Sequence, residues 1–313
     1  MDINLIELAQ RYSDEDAARV LLESTRWPDG AACPHCGSVK VYRLEPKATS
    51  KRPGRKGLWK CGDCRKQFTV TVGTIFEGSH IPLNKWVMAI YIMCASKKGI
   101  SALQLQRMLA PLTYKSAWFM CHRIRFAMTQ EPMAGLLSGT VEVDETYIGG
   151  KAKNMHASKR RKLGGRGTAG KPPIFALVER GGDLRGHYVA SVTGENLKGI
   201  IREQVDPTAT IMSDEHSAYV GLDREFAGHE AVGHGQGEYV RGEAYTNTLE
   251  GAFSLFKRQI VGAHHHISPE HLDRYWDEFS WKYNRRNSTE GEKMQMAIKA
   301  GEGKRLRYKE PGG

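Results

Sequence analysis

No stretch of the 313 residues approaches the ~18 consecutive apolar residues that a membrane-spanning helix needs. No spanning helix is expected on that count, and an anionic membrane surface is the weaker alternative partner. The opening Met1-Asp-Ile-Asn-Leu-Ile-Glu-Leu8 lacks the charge pattern of a signal peptide, so a cytosolic chain is expected. Acid is in short supply: 35 Asp and Glu stand against 46 Lys and Arg, giving a net charge of +11. That deficit favours a polyanionic partner, nucleic acid ahead of a membrane surface. Cysteine is scarce too. Six in a cytosolic chain argue for metal or buried thiols rather than a disulfide framework. What is present suffices for a packed core, since 40% of the residues are hydrophobic, and the length allows two or three domains.

Ser13-Asp-Glu-Asp16 reads as a helix start, with Ser13 as the cap and acids at the positive end of the dipole. Cys33-Pro-His-Cys36 and Cys61-Gly-Asp-Cys64 follow. Each spacing lets a tight turn aim two thiolates at one ion, and two such turns make a closed tetrahedral site for one structural zinc. A redox pair is disfavoured because the motif occurs twice. The 24 residues between the two motifs include Lys47, Lys51, Arg52, Arg55, Lys56 and Lys60 with Glu45 as the only acid, which suits a ribbon whose loop touches phosphate. The plainer alternative is a metal that only staples a small domain.

Residues 83–129 carry three helical patterns, with Ser101 capping the second and the third starting at Tyr114. A helix, a short turn and a helix bearing Lys115, Arg123 and Arg125 resemble a helix-turn-helix, with an ordinary bundle as the alternative. Cys94 and Cys121 fall inside these helices and read as buried thiols.

A new domain begins at Gly139-Thr-Val-Glu-Val-Asp-Glu-Thr-Tyr-Ile148. As a strand it points Val141, Val143 and Glu145 one way and Glu142, Asp144 and Thr146 the other. From Lys151 to Lys171 there are eight basic residues, four glycines and no acid, so order there is expected only on a polyanion. Strands are expected at 174–178, 187–192 and 210–216, a helix at about 195–204, and another opened by Pro269. That sequence of elements is an α/β order with helices covering a sheet.

Residues 244–258 give a helix of about four turns at 3.6 residues per turn. Leu249, Ala252, Phe253, Phe256 and Ile260 fall on one face, and Asn247, Glu250, Ser254 and Lys257 on a polar stripe. Taken alone, the stripe is a solvated face. Asp144 in the first strand and Asp214 at the end of a later one change that. Three carboxylates, the third being Glu250, would repel one another in a cleft, and a divalent metal relieves the repulsion. An oxygen-rich set suits Mg²⁺ or Mn²⁺, and two such ions serve in-line attack at phosphorus. His264-His-His266 offers no recognised ligand spacing and reads as a loop near DNA or the site's rim. Asp183, Asp206 and Asp223 read as turn residues.

The chain resembles the DDE-type bacterial transposases of the insertion sequence 1595 group, with an ISXO-type RNase H-like catalytic domain. The residues that carry the resemblance are the four-cysteine ribbon, Val143-Asp-Glu-Thr-Tyr-Ile-Gly-Gly150, Ser213-Asp-Glu-His-Ser-Ala-Tyr219 and Thr246-Asn-Thr-Leu-Glu250. Phe256-Lys-Arg258, Gly262-Ala-His-His-His-Ile-Ser268 and Phe279-Ser-Trp-Lys-Tyr-Asn-Arg-Arg286 complete it. The resemblance implies Asp144 and Asp214 as the first two catalytic acids. The family pattern often has Asn in the third place, here Asn247, followed by a Lys matching Lys257, so Asn247 and Glu250 compete for that role.

The expected division is an N-terminal helical segment at 1–28, a zinc ribbon at 29–80 and a helix-turn-helix-like domain at 81–135. An α/β, RNase H-like domain with a mixed sheet and flanking helices would occupy 136–300, with a basic flexible loop at 151–171 and a flexible tail at 301–313. The expected activity is binding of the inverted repeats of an insertion sequence, metal-dependent strand cleavage and strand transfer to target DNA. Lys115, Arg123, Arg125, Lys159, Arg160, Arg161 and Lys162 would contact double-stranded DNA. Two ends must be joined, so a homodimer or larger nucleoid-associated assembly is expected. The competing readings are a nuclease or resolvase of the same chemistry without strand transfer, and an inactive zinc-ribbon DNA-binding regulator.

Overall fold

The chain leaves its first folded unit after Thr129 and returns to it at Asn287. In this computed structural model, which describes residues 3–45, 54–129, 135–150, 156–158, 161, 168–232 and 246–308, residues 130–286 form a second unit of their own.

The first unit opens with α1 (Leu5–Arg11), held by an Asn4–Glu7 capping box, and α2 (Glu15–Arg26). Asp14, not Ser13, caps α2, accepting from the Ala17 amide at 2.8 Å. β1 (Val41–Leu44), β2 (Leu58–Cys61) and β3 (Gln67–Phe68) make an antiparallel three-stranded ribbon. Next come α3 (Leu83–Ala95), α4 (Ala102–Met108) and α5 (Tyr114–Met128), with Ser101 and Thr113 capping the last two. α3 is buried nearly all round, so it is the axis of the unit rather than an amphipathic cover. The segments expected as separate domains at 1–28, 29–80 and 81–135 lie in this one unit as far as Thr129.

The helix Glu290–Ala300 also belongs here, not to the second unit, although the RNase H-like domain was expected to run to residue 300. It packs on α2, α3 and α5, burying Met294, Ala297 and Ile298. The expected flexible tail is tied down through residue 308. Ile75 donates to the Gly301 carbonyl at 3.1 Å, Gly303 donates to that of Gly73 at 2.8 Å, and Leu306 is buried. Lys304 Nζ reaches the carbonyls of Ala127 and Thr129 at 3.1 and 2.9 Å, supplying a cation where α5 ends.

The second unit is built on β4 (Thr140–Tyr147), β5 (Pro173–Glu179), β6 (Leu184–Tyr188), α6 (Gly194–Gln204), β7 (Thr210–Asp214), β8 (Gly228–Val232), α7 (Asn247–Gln259) and α8 (Leu272–Asn284). The sheet order is β6-β5-β4-β7-β8; β4, β5 and β6 pair antiparallel, and β4, β7 and β8 parallel. This mixed sheet is the expected architecture. β8 was not anticipated, and the third strand lies earlier than 187–192 because Gly181-Gly182 turns the chain back at once, pairing Leu184 with Val178.

The alternation of β5 separates two cores. Phe175 and Leu177 join Val141, Val143, Leu197, Ile201 and Tyr219 on one face. Ile174, Ala176 and Val178 join Leu249, Phe253, Phe256, Leu272 and Trp276 on the other. Helices α7 and α8 close that second face. Trp276 lies so near Gly186 that a Cβ there would meet its Nε1 at 2.6 Å and the Phe175 carbonyl at 2.9 Å, so only glycine fits.

Candidate active site and zinc centre

β4 and β7 run in parallel with Thr140 opposite Thr210, Val141 opposite Ile211 and Glu142 opposite Met212. The register offset is 70, the same interval that separates Asp144 from Asp214. Continued by two residues, it sets the two aspartates level on neighbouring strands, which lie about 4.8 Å apart. Asp214 is the last residue of β7, at the carboxyl end of the parallel pair, where α/β sheets open to ligands. Asp144 Oδ1 accepts from the Glu145 amide at 2.7 Å, and Asp214 Oδ1 from the His216 amide at 3.0 Å.

α7 brings the third set of groups. Its apolar face is the expected one: Leu249, Ala252, Phe253 and Phe256 are buried, as is Ile260 just beyond. Asn247, Glu250, Ser254 and Lys257 are exposed. Withdrawal from water pushes the Asp144 carboxyl up to about 8, and the charges of Asp214, Glu145 and Glu250 push the same way. Withdrawal from water also holds the Lys257 ammonium below the ordinary lysine range, with Asp144 opposing and Lys171 reinforcing that shift. Asp144 therefore feels acids from β4, β7 and α7, and Lys257 lies within its electrostatic reach.

Three groups of this cluster, Glu145, Tyr219 and Glu142, were not anticipated as site residues. Glu145 points to the other face of β4, where Tyr219 donates to its Oε2 at 2.6 Å. Burial first, then Glu145, then Asp144 and Asp214 hold the Tyr219 phenol far above its usual range. Tyr219 lies within a motif already singled out, and a buried phenol beside an acid is the signal that could have drawn it in. Glu142, fully buried two residues before Asp144, accepts from Arg180, Thr248 and Leu249. A charged residue between two valines of a strand should have prompted a search for its partners.

An acid surplus of oxygen ligands with one carboxyl forced toward its neutral form fits a divalent cation of the Mg²⁺ or Mn²⁺ kind. The acids stand further apart than the four cysteine sulfurs do. Among the described residues, Cys33, Cys36, Cys61 and Cys64 are the one set of three or more His, Cys, Asp or Glu whose ligand atoms all lie within 4.8 Å of one another. No histidine group, His264–His266 included, meets that measure among the described residues.

The sulfurs of Cys33 and Cys64 are 3.6 Å apart, and those of Cys36 and Cys61 3.7 Å. A tetrahedron of Zn–S bonds of about 2.3 Å spaces its sulfurs by about 3.8 Å, so these two pairs stand at zinc spacing. The Cys64 amide, donating to Cys61 Sγ at 3.4 Å, leads in holding the Cys61 thiol down to about 6, toward the thiolate that a metal needs. Cys94 and Cys121 are buried within α3 and α5, as expected of structural thiols.

The residues expected at DNA divide. Lys115 is exposed in the first turn of α5, and Arg161 is exposed. Lys159, Arg160 and Lys162 lie outside the described residues, as does most of the basic stretch 151–171. Arg123 and Arg125 are corrections. Both are buried in α5, and Arg123 is spent on the carbonyls of Glu77 and Leu306 at 2.6 and 3.2 Å. From Met120 to Met128 α5 is buried nearly all round, so neither guanidinium is presented to a phosphate.

Comparison with known proteins agrees with this geometry. Residues 136–284 match the ISXO2-like transposase domain, and residues 13–67 match a transposase zinc-ribbon domain. The chain is 30% identical over 279 residues, 86% of its length and 90% of the relative's, to an uncharacterized protein in transposable element ISH50 of Halobacterium salinarum. The first match spans the sheet with its carboxylates and the second spans the four cysteines. On these grounds the chain belongs to the insertion sequence 1595 family of transposases.

Proposed function

We propose that this transposase binds the inverted-repeat ends of its element, cuts a phosphodiester at each and joins the freed 3′-hydroxyl to target DNA. The observation that carries the reading is the shared offset of 70, which levels Asp144 with Asp214 under a helix bearing Glu250 and Lys257. In this reading Asp144, Asp214 and Glu250 hold Mg²⁺ or Mn²⁺, and Asn247 is the rival for the third place. When bound, the metal pair supplies charge neutralisation at phosphorus and lowers the pKa of the attacking hydroxyl.

The protein's own groups do the rest. The Lys257 ammonium holds a non-bridging phosphate oxygen as a point charge beside Asp144. The Tyr219 hydroxyl holds the Glu145 carboxylate on the far face of β4, so it does not swing into the metal-binding face. Lys115 and the basic residues around Arg161 bind backbone phosphate. No described helix is long and apolar enough to cross a membrane. Bringing two ends together calls for at least a dimer on DNA.

The test is incubation of the purified chain with duplexes carrying its element's ends, a target plasmid and Mg²⁺, with the products mapped at nucleotide resolution. Cleavage with joined products supports the transposase reading in full. Cleavage without joining leaves a nuclease or resolvase, and binding without cleavage leaves a regulator.

A further inference from the structure

We propose that Glu142 is a positioning residue for the acidic site: its buried carboxylate sets where the start of α7, with Asn247 and Glu250, stands relative to Asp144. The proposal rests on the reading of Asp144 and Asp214 as metal-holding acids.

A helix N-terminus needs acceptors for its first amides, and a side chain at the cap normally supplies one. Thr246, at the cap of α7, makes no side-chain capping bond. Glu142 supplies the acceptor instead, from a strand 106 residues earlier: Oε2 accepts from the Thr248 amide at 3.0 Å and the Leu249 amide at 3.1 Å. Oε1 accepts from the Thr248 hydroxyl and from Arg180 Nε, both at 2.9 Å. Four donors satisfy a carboxylate that has no exposure to water, and the helix dipole favours its negative charge.

A cap from within the helix fixes only that helix. A cap from β4 fixes α7 to the sheet. Glu142 and Asp144 lie two residues apart on one face of β4, and the two capped amides sit between Asn247 and Glu250. Arg180 anchors the far side of the carboxylate, its own amide bonded to the Thr140 carbonyl at 3.0 Å, so the brace runs from β5 through β4 to α7. Loosening it lets the groups on α7 drift away from the aspartates while both strands stay paired.

The experiment uses the full-length chain as wild type, Glu142→Gln, Thr248→Val and Asp144→Asn. A core variant on the opposite face, Ile201→Val or Leu197→Ala, is chosen to match the melting temperature of Glu142→Gln. Mn²⁺ binding is measured by calorimetry without DNA, and single-turnover cleavage of an end duplex is followed well below every melting temperature. Glu142→Gln is expected to weaken Mn²⁺ binding and raise the half-saturating Mn²⁺ about tenfold, with affinity for the end duplex within twofold of wild type. Thr248→Val, which removes one of the four bonds and keeps the side chain's shape, should shift both in the same direction by about threefold. It carries the test should Glu142→Gln fail to fold. The matched core variant should move neither quantity. Wild-type Mn²⁺ binding in Glu142→Gln or, failing that, in Thr248→Val, or an equal shift in the core variant, would overturn the positioning role. Wild-type cleavage by Asp144→Asn would instead overturn the functional reading itself.

Discussion

Asp144 is an acid that its surroundings hold toward the neutral form, and this gives a prediction free of any catalytic assumption. Its folded-state value of about 8 lies above the ordinary 3.8, so the fold favours the protonated group. That contribution is fully present below about pH 4 and is lost as the pH rises through about 8 in metal-free protein. Asp144→Asn should therefore raise the metal-free melting temperature at pH 8.5, by about 3 °C or more, and change it little at pH 4. The same variant should keep DNA binding and lose cleavage by orders of magnitude. Glu250→Gln is expected to abolish cleavage in Mg²⁺ with partial recovery in Mn²⁺, while Asn247→Ala costs far less, because a carboxylate neutralises metal charge and an amide does not. The opposite ranking in a cleavage assay would make Asn247 the third ligand. Asp144 and Asp214 were legible because each ends or interrupts an apolar strand, and their spacing is the strand register. Arg123 and Arg125 were misread because a helix buried nearly all round gives charge no face to mark. Glu142 was passed over because its partners on α7 lie 106 and 107 residues away.

At the scale of elements, the ribbon and α7 make opposite demands. The ribbon's small core holds Cys33, Cys61 and Phe68 with Trp27, Val41, Trp59 and Val72 packed against them, too little apolar surface to fold without a metal. One zinc per chain is expected by elemental analysis. Cys61→Ser should red-shift tryptophan emission through Trp27 and Trp59, which meet edge to face at 5.9 Å, while the melting of residues 130–286 stays in place. α7 needs no metal to form, since its apolar face closes on Trp276 and Phe279 of α8. Gly186→Ala, which drives a methyl into Trp276, should destabilise that packing by about 1–3 kcal/mol in urea titration. Periodicity made α7 readable because it buries one face against a single layer, and β4 because its valines alternate with polar residues. β8 and the helix Glu290–Ala300 escaped for different reasons. β8 is a short edge strand whose last residue, Val232, pairs with Asp214, with little apolar alternation to signal it. No helix was expected at Glu290–Ala300, and its packing is a long-range contact that no local pattern carries.

For the whole molecule, a net charge of +11 predicts strongly salt-dependent DNA binding. Neutralising Lys159, Arg160, Arg161 and Lys162 together should weaken binding to every duplex. It should also flatten the slope of log K against log salt, by up to about 0.9 for each phosphate that no longer meets a cation. Altered sequence preference at an unchanged slope would make that stretch a reader of bases instead. The unit formed by residues 1–129 and 287–313 has a further consequence, for the order of events during synthesis. Its core waits for Met294, Ala297 and Ile298, which leave the ribosome only after the entire carboxylate-bearing sheet has emerged. A ribosome stalled with residues 287–313 still inside its exit tunnel should display a protease-resistant second unit while residues 1–129 remain open to cleavage. The two-part unit thereby acts as a timer: the half of the protein that carries the four cysteines completes only after the second unit has been made.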